Sequence, residues 1–246
     1  ESPASIHPEV RDAQACYLSS SKAVALAKEY GSRLHVLHLT TAKELELFEA
    51  GDLEDKRITA EVCVHHLTYC DEDYQQYGNG IKCNPAIKSA HDREALWKAL
   101  LEDRIDVIAT DHAPHTPDEK AQSYWLAPSG LPLIQHPLTM MLQFYHQGKI
   151  SLEKIVEKMC HAPSRMFHIV DRGFVRPGYK ADLILVDPNR PWLVHKDNLH
   201  YRCGWSNLEG RQLNGRVLKT WVNGNLVYDH GAFNGPGYGE RLSFSR

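Results

Sequence analysis

The sequence predicts an α/β fold, with repeated β/α units up to about residue 168 and a mainly β segment over 169–246. Three observations carry this prediction. Short apolar runs alternate with helix-spaced apolar positions through the first part, the order expected of a parallel sheet, closed or open. After Phe167 the helical spacing stops, and strand-like runs broken by Pro-Gly and Asn-Gly take over. Three apolar runs of the first part also end in histidine or aspartate, which places reactive side chains where strands would run out into loops.

In chain order, a helix from about Pro8 to Tyr30 ends at Gly31, a natural C′ residue, and feeds a strand at Leu34–Leu39. Thr41-Ala42-Lys43-Glu44 reads as a capping box that opens a helix to about Ala50, with Gly51 behind it. A strand at Ile58–Val64 follows. Ala95, Leu96, Ala99 and Leu100 give Ser89–Leu101 helical spacing, and that helix delivers the chain to a strand at Ile105–Thr110. Another helix starts near Ser151 and runs through Ile155, Val156 and Met159 to the Ala162-Pro163 break. Arg172–Tyr179 and Ala181–Asp187 read as short strands around a Pro-Gly turn, and Val217–Tyr228 as a hairpin with Asn223-Gly224 at its tip. Tyr201, Trp205, Trp221 and Tyr228 read as the core of this β segment.

Composition narrows the function classes. The chain has 246 residues, 42% hydrophobic and 24% charged, which suits a globular protein of one or two domains and neither disorder nor a fibre. Its net charge is −3, with Lys and Arg interspersed among Asp and Glu, so no basic surface invites nucleic acid or an anionic membrane. A small molecule is the expected partner. Six cysteines without CxxC spacing, in a chain this long, point to a reducing, cytoplasmic setting. No apolar stretch approaches the roughly 20 residues that cross a bilayer, and the polar start Glu1-Ser2-Pro3-Ala4-Ser5 has no targeting character.

Strand alternation assigns faces to the candidate site residues. In the run before Ala109-Thr110-Asp111-His112-Ala113-Pro114-His115, the residues Ile105, Val107, Ala109 and Asp111 share one face. Asp111 then closes an apolar stripe, where a carboxylate is costly unless a metal, a proton or several donors satisfy it. Leu34, Val36, His38 and Thr40 share a face in the same way, with His35 on the opposite one. A lone histidine there reads as a hydrogen-bonded core residue, but paired with Asp111 at a second strand end it suits a divalent metal. His65 and His66 end a third strand, and alternation lets at most one of them face the site.

The segments Ala109–His115 with Glu119-Lys120, Glu61-Val62-Cys63-Val64-His65-His66-Leu67 and Lys82-Cys83-Asn84-Pro85-Ala86-Ile87-Lys88 resemble, in order and spacing, the dihydroorotases, cyclic amidases of the amidohydrolase superfamily. Leu34–His38, Ala181-Asp182-Leu183 and Val222-Asn223-Gly224 extend the likeness over the length of the chain. The resemblance implies a (β/α)8 TIM barrel, with its C-terminal part at 1–168, followed by strands of a small β-sandwich at 169–246. It implies one or two zinc ions and the interconversion of dihydroorotate and N-carbamoyl-aspartate in pyrimidine biosynthesis. His38 and Asp111 are the implied metal ligands, with Asp111 also catalytic. Asn84, His115 and the loop carrying Ser129 and Gly130 are implied to bind substrate. The family's His-x-His pair, bridging carboxylate and other single histidine have no counterpart placed in this sequence. A full barrel takes about 250 residues and the β/α part here has about 168, so the chain reads as the C-terminal part of a larger enzyme, as the missing initiator Met also suggests.

Other readings stand beside these. Asn84-Pro85 also suits a simple turn, Glu119-Lys120 a helix-start charge pair, and Cys63 and Cys83 small core residues. For function, the alternatives are a dihydropyrimidinase-, hydantoinase- or allantoinase-like cyclic amidase, or a non-catalytic scaffold on the same fold. A homo-oligomer stays open.

Overall fold

The structure, a computed structural model, describes residues 2–245; Glu1, which begins the polar start, and Arg246 lie outside them. The chain divides into two compact units, Glu1–Pro137 with Leu199–Glu209, and Leu138–Asn198 with Gly210–Arg246. No helix among the described residues is long and apolar enough to cross a membrane.

The first unit opens with α1 (His7–Val10) and α2 (Ala13–Glu29). The single helix expected here is split because Arg11 leaves helical geometry (φ −111°, ψ 66°) and Asp12 restarts it, accepting the Ala15 N–H at 2.7 Å. Gly31 follows at φ 60°, as a C′ residue should. Strand β1 (Leu34–Val36) comes next. The helix expected after Thr41 is only a 3-10 turn at Glu44–Leu47. The capping contact does form, with the Glu44 N–H donating to Thr41 Oγ1 at 3.1 Å, but the buried Glu44 carboxylate is also held by Ser20 Oγ at 2.6 Å, and the chain turns extended at Phe48. Strand β2 (Ile58–Cys63), α3 (Tyr74–Tyr77) and α4 (Ala90–Leu101) follow. Ser89 and Asp92 form the capping box of α4, and its apolar face buries Leu96, Trp97 and Leu100.

Strand β3 (Val107–Ala109) completes a parallel sheet of order β1-β2-β3. The register pairs His35 with Thr59, Val36 with Ala60, Glu61 with Val107 and Cys63 with Ala109. Paired residues share a face, so His35 lies on the same side as Thr59, Glu61 and Val107, contrary to the alternation argument. The reason is the shortness of β1. His38 lies beyond it at φ 40°, so the face it takes no longer follows from alternation along the strand.

A buried ion pair secures the amino-terminal edge of this sheet. Lys56 Nζ lies 2.7 Å from Asp106 Oδ1, while Asp106 Oδ2 accepts the Ala60 N–H at 2.9 Å. Both side chains are buried, so the carboxylate is satisfied on each oxygen.

Helix α5 (Pro117–Lys120) follows β3. Beyond it, α6 (Pro137–His146) and α7 (Leu152–Val156) lead through a π turn at Glu157–His161 into α8 (Ala162–Met166). Pro163 does not end the helix as expected, because it falls in the first turn of α8, where its missing N–H is tolerated.

The second sheet is antiparallel, of order β4 (Leu183–Leu193), β5 (Gln212–Val222), β6 (Asn225–Asp229) and β7 (Ala232–Phe233). The expected hairpin is present, and Asn223 and Gly224 both take positive φ (49° and 81°) at its tip. Arg172–Tyr179 forms no strand; Arg172 instead reaches Asp182 and, at 2.8 Å, Asn223 Oδ1. Of the four aromatic residues expected to form the β-segment core, Trp221 and Tyr228 sit on β5 and β6 but are only half-buried, and Tyr201 and Trp205 belong to the first unit.

Asp106→Ala is expected to lower the stability of the protein by about 3 kcal/mol, since it leaves the buried Lys56 ammonium with the Asp103 carbonyl but no counter-charge, and leaves the Ala60 N–H without its acceptor. Chemical denaturation of the variant against the parent measures it.

Candidate active site

Each strand of the parallel sheet is followed, two residues beyond its last residue, by a metal-competent side chain. His38 follows Val36, His65 follows Cys63, and Asp111 follows Ala109. His38 and Asp111 both take left-handed backbone, at φ 40° and 48°. Such geometry is costly for residues with a Cβ, though Asp and His adopt it more readily than most. The segments stay tied to the sheet, with the Leu39 N–H donating to Glu61 O at 2.8 Å and the Val64 N–H to Ala109 O at 3.2 Å. Glu61 braces the first strand end. Its carboxylate accepts from His35 Nε2 at 3.0 Å and from the His38 N–H at 3.4 Å.

His65 and His66 both point inward, being 0% and 2% exposed, whereas alternation allowed only one to do so. The strand has already ended, and the chain folds into tight turns with the His66 N–H on Cys63 O and the Thr68 N–H on His65 O. Their rings lie 4.1 Å apart. Neither ring nitrogen of His65 has a hydrogen-bond partner, and each such buried group costs about 1–3 kcal/mol. Burial, helped by the charge of His38, pushes the His65 pKa down to about 3, so the ring is a neutral imidazole, the form that ligates metals. His66 donates from Nε2 to Pro85 O at 3.1 Å, which leaves Nδ1 as a bare lone pair. Burial is also the main cause that holds the Cys63 thiol well above its usual range, with the charges of Glu61 and Asp111 adding to it. These orphaned donors, with His38 and Asp111 near them, fit a divalent metal.

His112, next to Asp111, is structural. Its Nδ1 accepts the N–H groups of Leu133 and Ile134 at 2.9 and 3.2 Å, and its ring stacks on Tyr201.

The loops around the strand ends are knitted together by two buried ammonium groups. Lys82 Nζ donates to Tyr124 O and Ala127 O, both at 2.6 Å. Lys120 Nζ donates to Lys82 O, Pro128 O and Gly130 O at 3.1, 2.9 and 3.0 Å. Burial pushes the Lys120 pKa down to about 8. Glu119 does form the helix-start cap, but Lys120 is no surface charge. The Gly130 N–H also donates to Lys82 O at 2.8 Å, and His115 Nε2 lies 3.2 Å from Ser129 O. Ser129, Gly130 and His115 are thereby brought to the segment that carries Asn84. Asn84 itself is exposed, next to the buried Cys83, and its bond to Pro85 is cis.

Sequence reasoning named His38 and Asp111 as ligands, allowed at most one of His65 and His66 at the site, and read Lys120 as half of a helix-start charge pair. For His65 a signal was available: it stands at the same offset from its strand as the other two.

Comparison with known proteins gives a consistent picture. The amidohydrolase family model matches residues 12–227. The chain is 36% identical over 208 residues to a dihydroorotase of Halobacterium salinarum, covering 85% of this chain and 48% of that protein. It is 32% identical to an allantoinase of Rubrobacter xylanophilus, covering 87% of this chain and 48% of that one. Among solved structures, an L-hydantoinase (dihydropyrimidinase) from Arthrobacter aurescens superposes with a TM-score of 0.82 at 28% identity, over 87% of this chain and 49% of that one. The chain thus spans about half the length of the relatives it matches.

A Cβ on Gly130 would lie 2.3 Å from Ala113 O, and the residue takes φ 143°. Gly130→Ala is therefore expected to lift the 128–130 loop off the segment after Asp111, costing about 1–3 kcal/mol. Amide hydrogen exchange at residues 128–130 should accelerate while that of β2 stays protected.

Proposed function

The chain belongs to the amidohydrolase family, and from that premise we propose that it is the C-terminal part of a zinc-dependent dihydroorotase. The reaction is the reversible hydrolysis of the dihydroorotate ring amide to N-carbamoyl-aspartate, a step of pyrimidine biosynthesis. Residues 1–168 are assigned to the barrel and 169–246 mainly to the β-sandwich. The observation that carries the reading is the set His38, His65 and Asp111, one after each parallel strand, with both His65 ring nitrogens buried and unpartnered. Similarity to a dihydroorotase over 85% of the chain supports it. The six cysteines, all free, suit a reducing cytoplasm.

His65 would hold the metal, with His38 and Asp111 at the neighbouring strand ends available to complete its shell. When bound, zinc supplies a Lewis acid for the ring carbonyl and brings the pKa of water toward about 7. Asp111 accepts the proton of the attacking water and returns it to the departing ring nitrogen, acting as base and then acid. Asn84 and His115 hydrogen-bond the substrate's carboxylate, and the backbone groups of Ser129 and Gly130 orient the ring. Lys120, by holding three carbonyls of these loops, fixes where those backbone groups point.

Similarity to an allantoinase supports a second reading, a cyclic amidase for another ureide ring. The substrate test separates the two. Metal-loaded protein carrying this chain should close N-carbamoyl-aspartate at mildly acidic pH and open dihydroorotate at alkaline pH. Turnover of allantoin or hydantoin with none of dihydroorotate would overturn the first reading, and no turnover of any ring with metal bound would make the protein a scaffold.

Asp111→Asn keeps an oxygen donor but carries no proton, so kcat should fall at least about a hundredfold while bound metal drops less. His115→Ala and Asn84→Ala should act mainly by raising KM. Steady-state kinetics with metal analysis of the three variants checks both expectations.

A further inference from the structure

We propose that Cys63, His65 and His66 together bind one zinc-class ion, through a thiolate and two imidazoles. The inference rests on the reading of a metal centre at this strand end and adds its sulfur ligand. One ligand atom from each of the three residues lies within 4.8 Å of the others, and all three side chains are buried. Bonds of about 2.0–2.3 Å from a tetrahedral ion to nitrogen and sulfur set its ligand atoms somewhat under about 4 Å apart, so small side-chain adjustments close these three donors on one ion.

Independent observations point to a ligand. His65 is fully buried, and neither of its ring nitrogens has a hydrogen-bond partner among the described residues. His66 shows the arrangement of a metal-ligating histidine: its Nε2–H is spent on the Pro85 carbonyl at 3.1 Å, which orients the ring and presents the unpartnered Nδ1. The other nearby thiol is engaged elsewhere, since Cys83 Sγ donates to Pro85 O at 3.2 Å. Cys63 is the sulfur left for the metal.

Binding breaks the Cys63 S–H bond, releases the proton to water and forms a metal–sulfur bond, with no change of oxidation state. A thiolate with two imidazoles selects borderline and soft ions such as zinc, cobalt and cadmium over magnesium or manganese. The centre would therefore discriminate by softness as well as by charge.

Equimolar cobalt(II) added to the full, metal-free chain under reducing conditions tests this. The expected spectrum has a near-ultraviolet sulfur-to-cobalt charge-transfer band with the visible bands of four-coordinate cobalt. The charge-transfer band should be lost in Cys63→Ser and kept in Cys83→Ser and Cys160→Ser, with excess magnesium leaving it unchanged. Far-ultraviolet circular dichroism confirms that each variant is folded. Visible cobalt bands without charge transfer in the parent chain overturn the sulfur ligand and leave the metal reading intact. A charge-transfer band that survives in folded Cys63→Ser also overturns the proposal. No cobalt spectrum at all overturns both.

Discussion

Parallel pairing of β1, β2 and β3 puts three carboxyl ends along one edge of the sheet, so the residue that follows each strand is directed to a shared space. Hydrogen bonding of the sheet supplies this alignment without any help from the side chains that benefit. His38, His65 and Asp111 each stand two residues past a strand, and electrostatic influence across these strand ends follows from that. His38 lowers the pKa of His65 and Asp111 raises that of Cys63, in each case after burial. The cost of the arrangement is borne locally, in left-handed backbone at His38 and Asp111 and in imidazole nitrogens stripped of water at His65.

The sheet is anchored at one edge and active at the other. At the amino ends, Lys56 and Asp106 satisfy each other and the Ala60 N–H, and the core beneath is apolar and closed, with Ala60, Val62 and Ile105 fully buried. At the carboxyl ends, polar groups are left with unused valence. The loops above them owe their course to Lys82 and Lys120, whose ammonium groups replace water as donors to five backbone carbonyls. Buried charge of that kind is expensive unless hydrogen-bonded, and here every contact serves to hold a loop in place.

Much of this was legible from residue patterns that act over a few positions. Ser89 and Asp92, Gly31 and the Asn223-Gly224 tip do locally what their types predict. Asp111 and His38 stood out because a polar group at the end of an apolar stripe calls for an explanation. Strand alternation failed where strands stopped sooner than their apolar runs: β1 ends at Val36 and β2 at Cys63, so the faces of His38, His65 and His66 could not be read by counting. Lys120 was misread for a different reason. Its three acceptors come from Lys82, Pro128 and Gly130, and no pattern around Glu119-Lys120 reveals them. Tyr201 and Trp205 likewise serve the first unit, holding Gln135 and His115 by single hydrogen bonds from a segment that returns late in the chain.

The central claim is that a metal sits at the carboxyl edge of the parallel sheet. Anomalous X-ray scattering from crystals of zinc-loaded protein, collected on both sides of the zinc absorption edge, tests it most directly. The account predicts a zinc peak at ligand distance, about 2.0–2.3 Å, from a ring nitrogen of His65. A peak only at exposed histidines such as His195 or His230, or no peak at a fully ordered strand edge, would contradict it.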